Sequence, residues 1–216
     1  MITLLDYGAG NVRSVVNAIE RLGETVALVS RGEDIARAEK LVFPGVGNFG
    51  CMMETLDRLG FTEPLKDYLR QGRPFLGICL GLQALFERSE EAPGTAGLGF
   101  LRGEVRRLRV PCAVPHIGWN GIRVRKPSPL FGGLPPDEKF YFVHSYAVHP
   151  RDPAVVLTET DYGGRPFVSA IRQGRTVATQ FHPEKSGLWG LKMYDNFLKT
   201  ALGRAEPQPA ANGVTL

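Results

Sequence analysis

The stretch Phe75-Leu76-Gly77-Ile78-Cys79-Leu80-Gly81-Leu82-Gln83 places an apolar run before a Gly-x-Cys-x-Gly turn and a helix-forming run after it. This order predicts a buried strand, Pro74–Ile78, that ends in a tight turn and continues as a helix over Leu80–Glu87. A strand followed at once by a helix is the repeating unit of parallel sheets. The stretch therefore predicts an α/β fold with a thiol at the carboxyl end of one strand.

The rest of the first half repeats the strand–helix unit, whereas the second half changes to short strands divided by Gly and Pro turns. We therefore expect an open, mostly parallel, doubly wound sheet with an antiparallel extension in the second half, as one domain over residues 1–202 and a disordered tail over 203–216. The other predicted elements of the first half are strands Ile2–Asp6, Thr25–Val29 and Lys40–Phe43, and helices Val12–Leu22, Asp34–Ala38, Asn48–Leu59 and Glu63–Gln71. In the second half they are strands Phe100–Leu108, Gly121–Val124, Phe140–Val148, Ala154–Thr160, Phe167–Arg172 and Thr176–Gln180, and a closing helix Ser186–Ala201.

Cys79 is the candidate nucleophile, because its sequence context is that of a nucleophile elbow. Side chains two residues before or after it would clash with the neighbouring strand and helix, and glycines stand there, Gly77 and Gly81. The N-terminus of the following helix would favour the thiolate, and the amide of Leu80 would be free to donate to an oxyanion. The alternative is a small apolar residue that ends a buried strand, the role that we expect for Cys51 and Cys112.

A thiol nucleophile needs a base and a group that orients it. His182 follows the predicted strand Thr176–Gln180, and Pro183 fixes the backbone between it and Glu184. A carboxylate two residues on is able to reach the imidazole, so the chain order Cys79, His182, Glu184 predicts a catalytic triad. The alternatives are a surface turn at His182 and a base at His144, which has no carboxylate near it in sequence.

The loop after the third strand, Pro44-Gly45-Val46-Gly47, is the candidate oxyanion site together with Leu80. Ligands bind at the carboxyl ends of parallel strands, and glycines there let backbone amides approach a tetrahedral oxyanion. An ordinary glycine-rich βα turn is the alternative. The earlier Gly8-Ala9-Gly10-Asn11 turn lacks the third glycine and the acid of a dinucleotide site, so we expect no dinucleotide there.

A free amino acid needs donors for its carboxylate and an acceptor for its ammonium group. Gln83 lies one turn past the nucleophile, and Glu90 and Glu91 offer carboxylates nearby. The strand Tyr141-Phe142-Val143-His144-Ser145-Tyr146 offers backbone groups and a hydroxyl. The candidate substrate-binding residues are therefore Gln83, Glu91, Ser145 and Tyr146.

Composition limits the remaining classes of function. The chain has 216 residues, is 43% hydrophobic and has no apolar run of membrane-spanning length, so we expect a cytoplasmic protein. Three widely spaced cysteines predict neither a disulfide framework nor a zinc site, and we expect no metal and no cofactor. The net charge of +4 comes from scattered basic residues without interleaved aromatics, which indicates a solvated or partner-facing surface rather than a nucleic-acid site.

Taken together, these motifs resemble those of class I glutamine amidotransferases, and among them the glutaminase subunits of imidazole glycerol phosphate synthases, which act in histidine biosynthesis. The broad pattern is Gly77-Ile78-Cys79-Leu80-Gly81-Leu82-Gln83 with His182-Pro183-Glu184. The narrower pattern is Pro44-Gly45-Val46-Gly47-Asn48-Phe49-Gly50, Pro115-His116-Ile117-Gly118-Trp119-Asn120 and Tyr141-Phe142-Val143-His144-Ser145-Tyr146. The resemblance extends from Asp6 to the helix after Ser186.

The resemblance implies a flavodoxin-like fold and hydrolysis of glutamine through a thioester on Cys79. It also implies a heterodimer with a (β/α)₈-barrel cyclase subunit, which would receive the ammonia and make imidazole glycerol phosphate and AICAR. The interface residues that it implies are Asn11, Trp119, Asn120 and Tyr141.

Two alternatives remain at this point. One is an amidotransferase of the same class that serves anthranilate, GMP or pyridoxal phosphate synthesis. The other is a non-catalytic, doubly wound binding module in which Cys79 is merely buried.

Overall fold

Two sheets contain all the strands that a computed structural model shows for residues 1–199, the part of the chain that it describes. The predicted tail at 203–216, and the last predicted domain residues before it, lie outside these residues. The strands are β1 Ile2–Leu4, β2 Val26–Leu28, β3 Leu41–Gly45, β4 Phe75–Cys79, β5 Arg88–Ser89, β6 Gly103–Arg107, β7 His116–Gly121, β8 Arg123–Val124, β9 Lys139–His144, β10 Tyr146–Pro150, β11 Val156–Tyr162, β12 Arg165–Gln173 and β13 Thr176–Thr179. The helices are α1 Val12–Glu20, α2 Gly32–Arg37, α3 Phe49–Arg58, α4 Thr62–Arg70, α5 Leu80–Gln83 and α6 Gly187–Lys199.

Five parallel strands form the centre of the larger sheet, in the order β2-β1-β3-β4-β13. From β13 the sheet continues through the antiparallel strands β12, β10 and β6 and ends at β5, which is parallel to β6. Strand β11 pairs with β12, and β8 pairs with β11. Strands β7 and β9 make a separate antiparallel pair. The predicted fold class, a parallel α/β sheet with an antiparallel extension, is confirmed.

Every residue of β1, β3, β4 and β13 is buried. Since successive residues of a strand point to opposite faces, both faces of these four strands are covered. Leu41 and Phe43 of β3 pack in a cluster with residues of α3 and α4, whereas Val42 packs in a second cluster with residues of α1 and α6. The carboxyl ends of β3, β4 and β13 therefore meet at one edge between two covered layers, where ligand sites of such sheets form.

The predicted helix Leu80–Glu87 is wrong in length, since α5 ends at Gln83. The carbonyl groups that would continue the helix accept instead from a later segment: Leu98 N bonds Ala84 O, and Leu101 N bonds Leu85 O. A side chain at Gly97 would overlap the Phe86 carbonyl oxygen, so this close crossing needs glycine.

The predicted strand Phe140–Val148 is also wrong, because it divides at Ser145. Its first part, β9, pairs with β7, and its second part, β10, pairs with β6 in the larger sheet. Strand β7 lies where the sequence predicted no strand before Gly121. The pairing partners of these segments are distant in sequence, and this is why periodicity alone did not find the break.

Candidate active site

Cys79 is the only non-glycine residue with a positive φ among residues 1–199, at φ 54° and ψ −105°. A conformation of this kind costs about 1–3 kcal/mol and persists where the surroundings impose it. The turn lies at the carboxyl end of strand β4, and Cys79 is the last residue of that strand. The described backbone is therefore that of a nucleophile elbow.

The glycines beside Cys79 are required by close packing, as the sequence predicted. A Cβ at Gly77 would lie 2.8 Å from the carbonyl oxygen of Gly81, and one at Gly81 would overlap the carbonyl oxygen of Phe43 on β3. At Gly45, opposite Cys79 in the sheet register, a Cβ would lie 2.7 Å from Cβ of Leu80. The thiol thus lies in a turn that is packed tightly against its neighbouring strand.

His182 lies beside this turn because β13 runs parallel to β4, with Thr179 paired to Ile78. Nδ1 of His182 lies 2.7 Å from Oε1 of Glu184, and both side chains are almost fully buried. Pro183–Lys185 forms a 3-10 turn that directs the carboxylate back to the imidazole. Nε2 of His182 is buried and has no hydrogen-bond partner within residues 1–199, so this nitrogen is free for chemistry.

The charges around His182 set its protonation. Burial lowers the pKa of His182, but the nearby Cys79 and Glu184 outweigh burial and raise that pKa to about 10. Opposite charges close to an imidazole favour its protonated form. The site therefore favours a protonated His182 ring between Cys79 and Glu184.

The turn that carries His182 is fixed by a short hydrogen-bond network. Ser186 Oγ donates to His182 O at 2.6 Å and accepts from Tyr141 N at 3.0 Å. His182 N donates to Tyr141 O at 2.9 Å. Strand β9 therefore positions the backbone of the predicted base.

A cavity of about 250 Å³ opens beside Cys79 and His182. The predicted oxyanion residues that line it are Val46, Gly47 and Leu80, and the predicted substrate residues are Gln83, Glu91, Ser145 and Tyr146. Gly45 does not line it, because it is buried opposite Cys79 within the sheet. With the exception of Gly45, the predicted oxyanion and substrate residues thus lie around one cavity, next to Cys79 and His182.

The polar groups of Gln83 and Glu91 already have structural partners. Gln83 Nε2 donates to Tyr146 O and to Gln180 Oε1, each at 3.1 Å. Glu91 Oε2 accepts from Phe49 N at the start of α3, at 2.8 Å. Glu90 is different, because its carboxylate accepts from Arg107 N away from the cavity.

The loop after β3 carries a contact that the sequence did not suggest. The Tyr7 hydroxyl donates to Val46 O at 3.5 Å, and Gly47 has a φ of 103°. Burial raises the pKa of Tyr7 to about 12, so the hydroxyl remains a neutral donor. The peptide between Val46 and Gly47 is therefore held with its carbonyl towards Tyr7.

His144 also lies beside the cavity, but its ring is committed elsewhere. Nδ1 bonds Tyr146 O at 2.8 Å, and Nε2 lies 3.2 Å from Nδ1 of His116. Burial lowers the pKa of His144 to about 3 and that of His116 to about 4. Both rings are therefore neutral, which agrees with a structural role for His144 rather than that of the base.

Three of the implied interface residues lie on the β7–β9 pair. Trp119 is opposite Tyr141, with ring centroids 6.1 Å apart, and its surface is 54% exposed. The Asn120 side chain donates to Asp161 O, and Lys185 lies over the Tyr141 ring. Asn11 precedes α1, and its Oδ1 accepts from Ser14 Oγ at 2.8 Å.

Sequence reasoning missed the roles of Gln180 and His116. Gln180 Nε2 donates to the Cys79 sulfur at 3.5 Å. The available signal was a long amide side chain at the buried end of a strand, one position before Phe181-His182. Within residues 1–199 there is no group of three or more potential metal ligands, and no helix of that region is long and apolar enough to cross a membrane.

Comparison with known proteins identifies the family and the fold. The family model for class-I glutamine amidotransferases matches residues 3–201, so the chain belongs to that family. A crystal structure of a glutamine amidotransferase has a TM-score of 0.72 at 22% identity, over 91% of this chain and 96% of that one, and thus the same fold.

Among individual proteins, the chain is 49% identical to imidazole glycerol phosphate synthase subunit HisH of Deinococcus radiodurans, over 91% of this chain and 92% of that protein. It is 47% identical to imidazole glycerol phosphate synthase hisHF of Schizosaccharomyces pombe, over 92% of this chain but only 38% of that longer protein. The resemblance that the motifs predicted is confirmed.

Proposed function

We propose that this chain is the glutaminase subunit of an imidazole glycerol phosphate synthase and that Cys79, His182 and Glu184 are its catalytic triad. The observation that carries the assignment of the triad is the strained Cys79 elbow beside a His182 whose Nδ1 is held by Glu184 at 2.7 Å. Relatives with nearly the same length and 45–49% identity support the choice of synthase.

In the first half of the reaction the Cys79 thiolate attacks the side-chain amide carbon of glutamine, and the carbonyl electron pair moves to oxygen. We expect the amide of Leu80 to stabilise this oxyanion, because the first amides of a helix have no acceptor within it. His182 then gives the proton on Nε2 to the departing nitrogen. The carbon–nitrogen bond breaks, which leaves ammonia and a γ-glutamyl thioester.

In the second half neutral His182 takes a proton from water, and the resulting hydroxide attacks the thioester. The carbon–sulfur bond breaks and its electron pair returns to sulfur, which releases glutamate and restores the thiolate–imidazolium pair. Glu184 orients the ring throughout and stabilises its positive charge in the steps in which the ring is protonated.

The ammonia would pass to a (β/α)₈-barrel cyclase subunit and react there with a phosphoribulosyl-formimino-AICAR phosphate intermediate. Support for this association comes from the fission-yeast protein, in which the part that matches this chain is 38% of one longer polypeptide. We place the interface at Asn11, Trp119, Asn120 and Tyr141. The exposed indole of Trp119 supports this choice, because aromatic anchors dominate many interfaces. Three free thiols suit a cytoplasmic location.

The loop Gly45-Val46-Gly47 would control activity. Tyr7 holds the Val46 carbonyl, so the Val46–Gly47 peptide would have to turn before the N–H of Gly47 could face the oxyanion. Partner binding would favour that turn. We expect a low rate of glutamine hydrolysis for the lone subunit and a rate at least about tenfold higher with the cyclase subunit and its ligand, and equal rates would dismiss this switch.

The synthase assignment is tested by pairing the chain with separate synthase subunits. Glutamine-dependent product formation is expected with the barrel cyclase and with none of the synthases for anthranilate, GMP or pyridoxal phosphate. A non-catalytic binding module is tested by labelling, because the glutamine mimic diazo-oxo-norleucine should modify Cys79 and neither Cys51 nor Cys112. Labelling absent at Cys79 would contradict the proposed nucleophile.

A further inference from the structure

Gln180 makes a hydrogen bond to the sulfur of the proposed nucleophile. It follows β13 directly, and its side chain is completely buried. Nε2 donates to Cys79 Sγ at 3.5 Å, and Oε1 accepts from Gln83 Nε2 at 3.1 Å. Both polar atoms of the side chain are therefore in use, one of them on the reacting atom.

The orientation of the Gln180 amide follows from a backbone carbonyl. Tyr146 O is only able to accept, so the Gln83 atom 3.1 Å from it is the nitrogen. The same nitrogen also lies 3.1 Å from Gln180, and its second proton needs an acceptor there, which is Oε1. The Gln180 nitrogen then has to face the sulfur. Gln83 thus donates both to Tyr146 O and to Gln180, and Gln180 in turn donates to Cys79.

A donor aimed at sulfur in a buried position acts on the charge of that sulfur. A hydrogen bond to the charged form of a group favours that form, and it is stronger where water is excluded. The other titratable groups that face Cys79 are Tyr7, a neutral hydroxyl, and His182, a cation held by Glu184; His144 beside the cavity is neutral. Gln180 is the donor in this group that does not titrate.

We propose that Gln180 is a fourth catalytic side chain of this site, whose amide donates to Cys79 Sγ and stabilises the thiolate both before attack and as the leaving group. The proposal rests on the proposed function, because it takes Cys79 as the nucleophile. When hydroxide attacks the thioester, the electron pair of the breaking carbon–sulfur bond returns to sulfur. The Gln180 N–H is already placed to donate a hydrogen bond to the sulfur as this negative charge grows.

The first test replaces the donor and keeps the length of the side chain, Gln180→Met. Alkylation of the lone subunit by iodoacetamide is followed at neutral pH by peptide mass spectrometry. Cys79 is expected to react about three- to tenfold more slowly than in the wild type, the loss of one hydrogen bond to a charged atom. The exposed Cys51 and Cys112 are internal controls, and their rates should not change.

A matched variant controls for general damage to the buried strands. Thr158→Val removes another fully buried polar group, the hydroxyl that pairs with Ser169 Oγ on β12, and it should leave the Cys79 rate unchanged. In the complex with cyclase, Gln180→Met should lower kcat for glutamine hydrolysis by a similar factor with little change in KM, because the side chain does not line the cavity.

A second measurement does not depend on the folding of Gln180→Met. In ¹H–¹⁵N spectra of the Cys79→Ala subunit, the side-chain amide protons of Gln180 should move upfield and exchange faster than in the wild type, while those of Asn196 stay unchanged. Two results would overturn the proposal. One is a rate of Cys79 alkylation in Gln180→Met that stays within twofold of the wild-type rate. The other is a set of Gln180 amide signals that does not change in Cys79→Ala. Neither result depends on glutamine hydrolysis. The proposed function would be rejected by a different result, the absence of glutaminase activity in the wild-type complex.

Discussion

At the scale of single residues, the site depends on a cysteine in a conformation that its neighbours impose. Gly77 and Gly81 leave room for the turn at Cys79. Gly45 on the neighbouring strand β3 leaves room for Leu80, the residue after Cys79. The sequence predicted the thiol, the two flanking glycines and the His182–Glu184 pair, because each spacing has a local steric or chemical reason. It did not predict the contact of Gln180 with sulfur, since Gln180 and Cys79 are 101 residues apart.

Replacing Gly81 by alanine tests the packing of the elbow. The new methyl group would overlap the carbonyl oxygen of Phe43, which is backbone and has no room to move. We expect the free energy of unfolding to fall by about 3 kcal/mol or more, measured by urea denaturation. Gly121→Ala is the matched control, because a Cβ there meets no atom within 4 Å, and it should change stability by less than about 1 kcal/mol. Equal stability of the two variants would contradict this packing.

The protonation of His182 gives a second test at this scale. Its folded-state pKa of about 10 lies above the ordinary value of 6.5, so the protonated ring is favoured on folding. The resulting stabilisation is fully present below about pH 6.5 and is lost as the pH rises through about 10. Because Cys79 is the largest of the raising influences, Cys79→Ala should lower the titration midpoint of His182.

Imidazole chemical shifts recorded against pH measure this midpoint directly. The exposed His149 is an internal control, and its midpoint should not change between the two proteins. The same His182 midpoint with and without the thiol would show that no ion pair forms.

At the scale of elements, the carboxyl ends of β3, β4 and β13 bring the loop, the proposed nucleophile and the proposed base together. These strands were predictable from apolar runs and from the turns that follow them. The early end of α5 and the break between β9 and β10 were not predictable in this way, because both depend on pairing with distant segments. Because α5 ends early, the chain after Gln83 is able to place Glu91 at the cavity. The break between β9 and β10 places Ser145 and Tyr146 there.

The loop after β3 is tested by Tyr7→Phe. Loss of the hydroxyl removes the 3.5 Å contact that holds the Val46 carbonyl. Since one long hydrogen bond contributes about 0.5 kcal/mol, the glutaminase rate of the lone subunit should rise about two- to threefold. Tyr68→Phe removes a buried hydroxyl that bonds Pro74 O instead and should leave this rate unchanged. A lower or unchanged rate in Tyr7→Phe would argue against the Tyr7 contact as a restraint.

At the scale of the whole molecule, the parallel sheet positions the proposed nucleophile and base. The β7–β9 pair presents Trp119 at the surface next to the turn that holds His182. This arrangement links the proposed partner surface to the proposed base through Tyr141, whose carbonyl accepts from His182 N. The fold class was predictable from the alternation of strands and helices, whereas the association with a cyclase was implied only by family resemblance.

Trp119→Ala tests the interface. The indole is 54% exposed in the lone subunit, and its loss should raise the Kd for the cyclase subunit by about tenfold or more, measured by calorimetry. Leu59→Ala is the control, because Leu59 is also partly exposed but lies at the far end of α3 from the site, and its Kd should stay within about twofold of the wild-type value. Equal affinity of the Trp119→Ala variant would place the interface elsewhere.

The most direct test asks whether the ammonia used by the cyclase subunit is released from glutamine at Cys79. The complex of the Cys79→Ala variant with the cyclase subunit is supplied with either glutamine or ammonium salt, and the imidazole glycerol phosphate formed is measured. We predict that product formation from glutamine falls by at least about 10³-fold, while formation from ammonia stays within about twofold of the wild-type complex. Glutamine-dependent synthesis that survives in Cys79→Ala would contradict the assignment of Cys79 as the nucleophile that releases the ammonia.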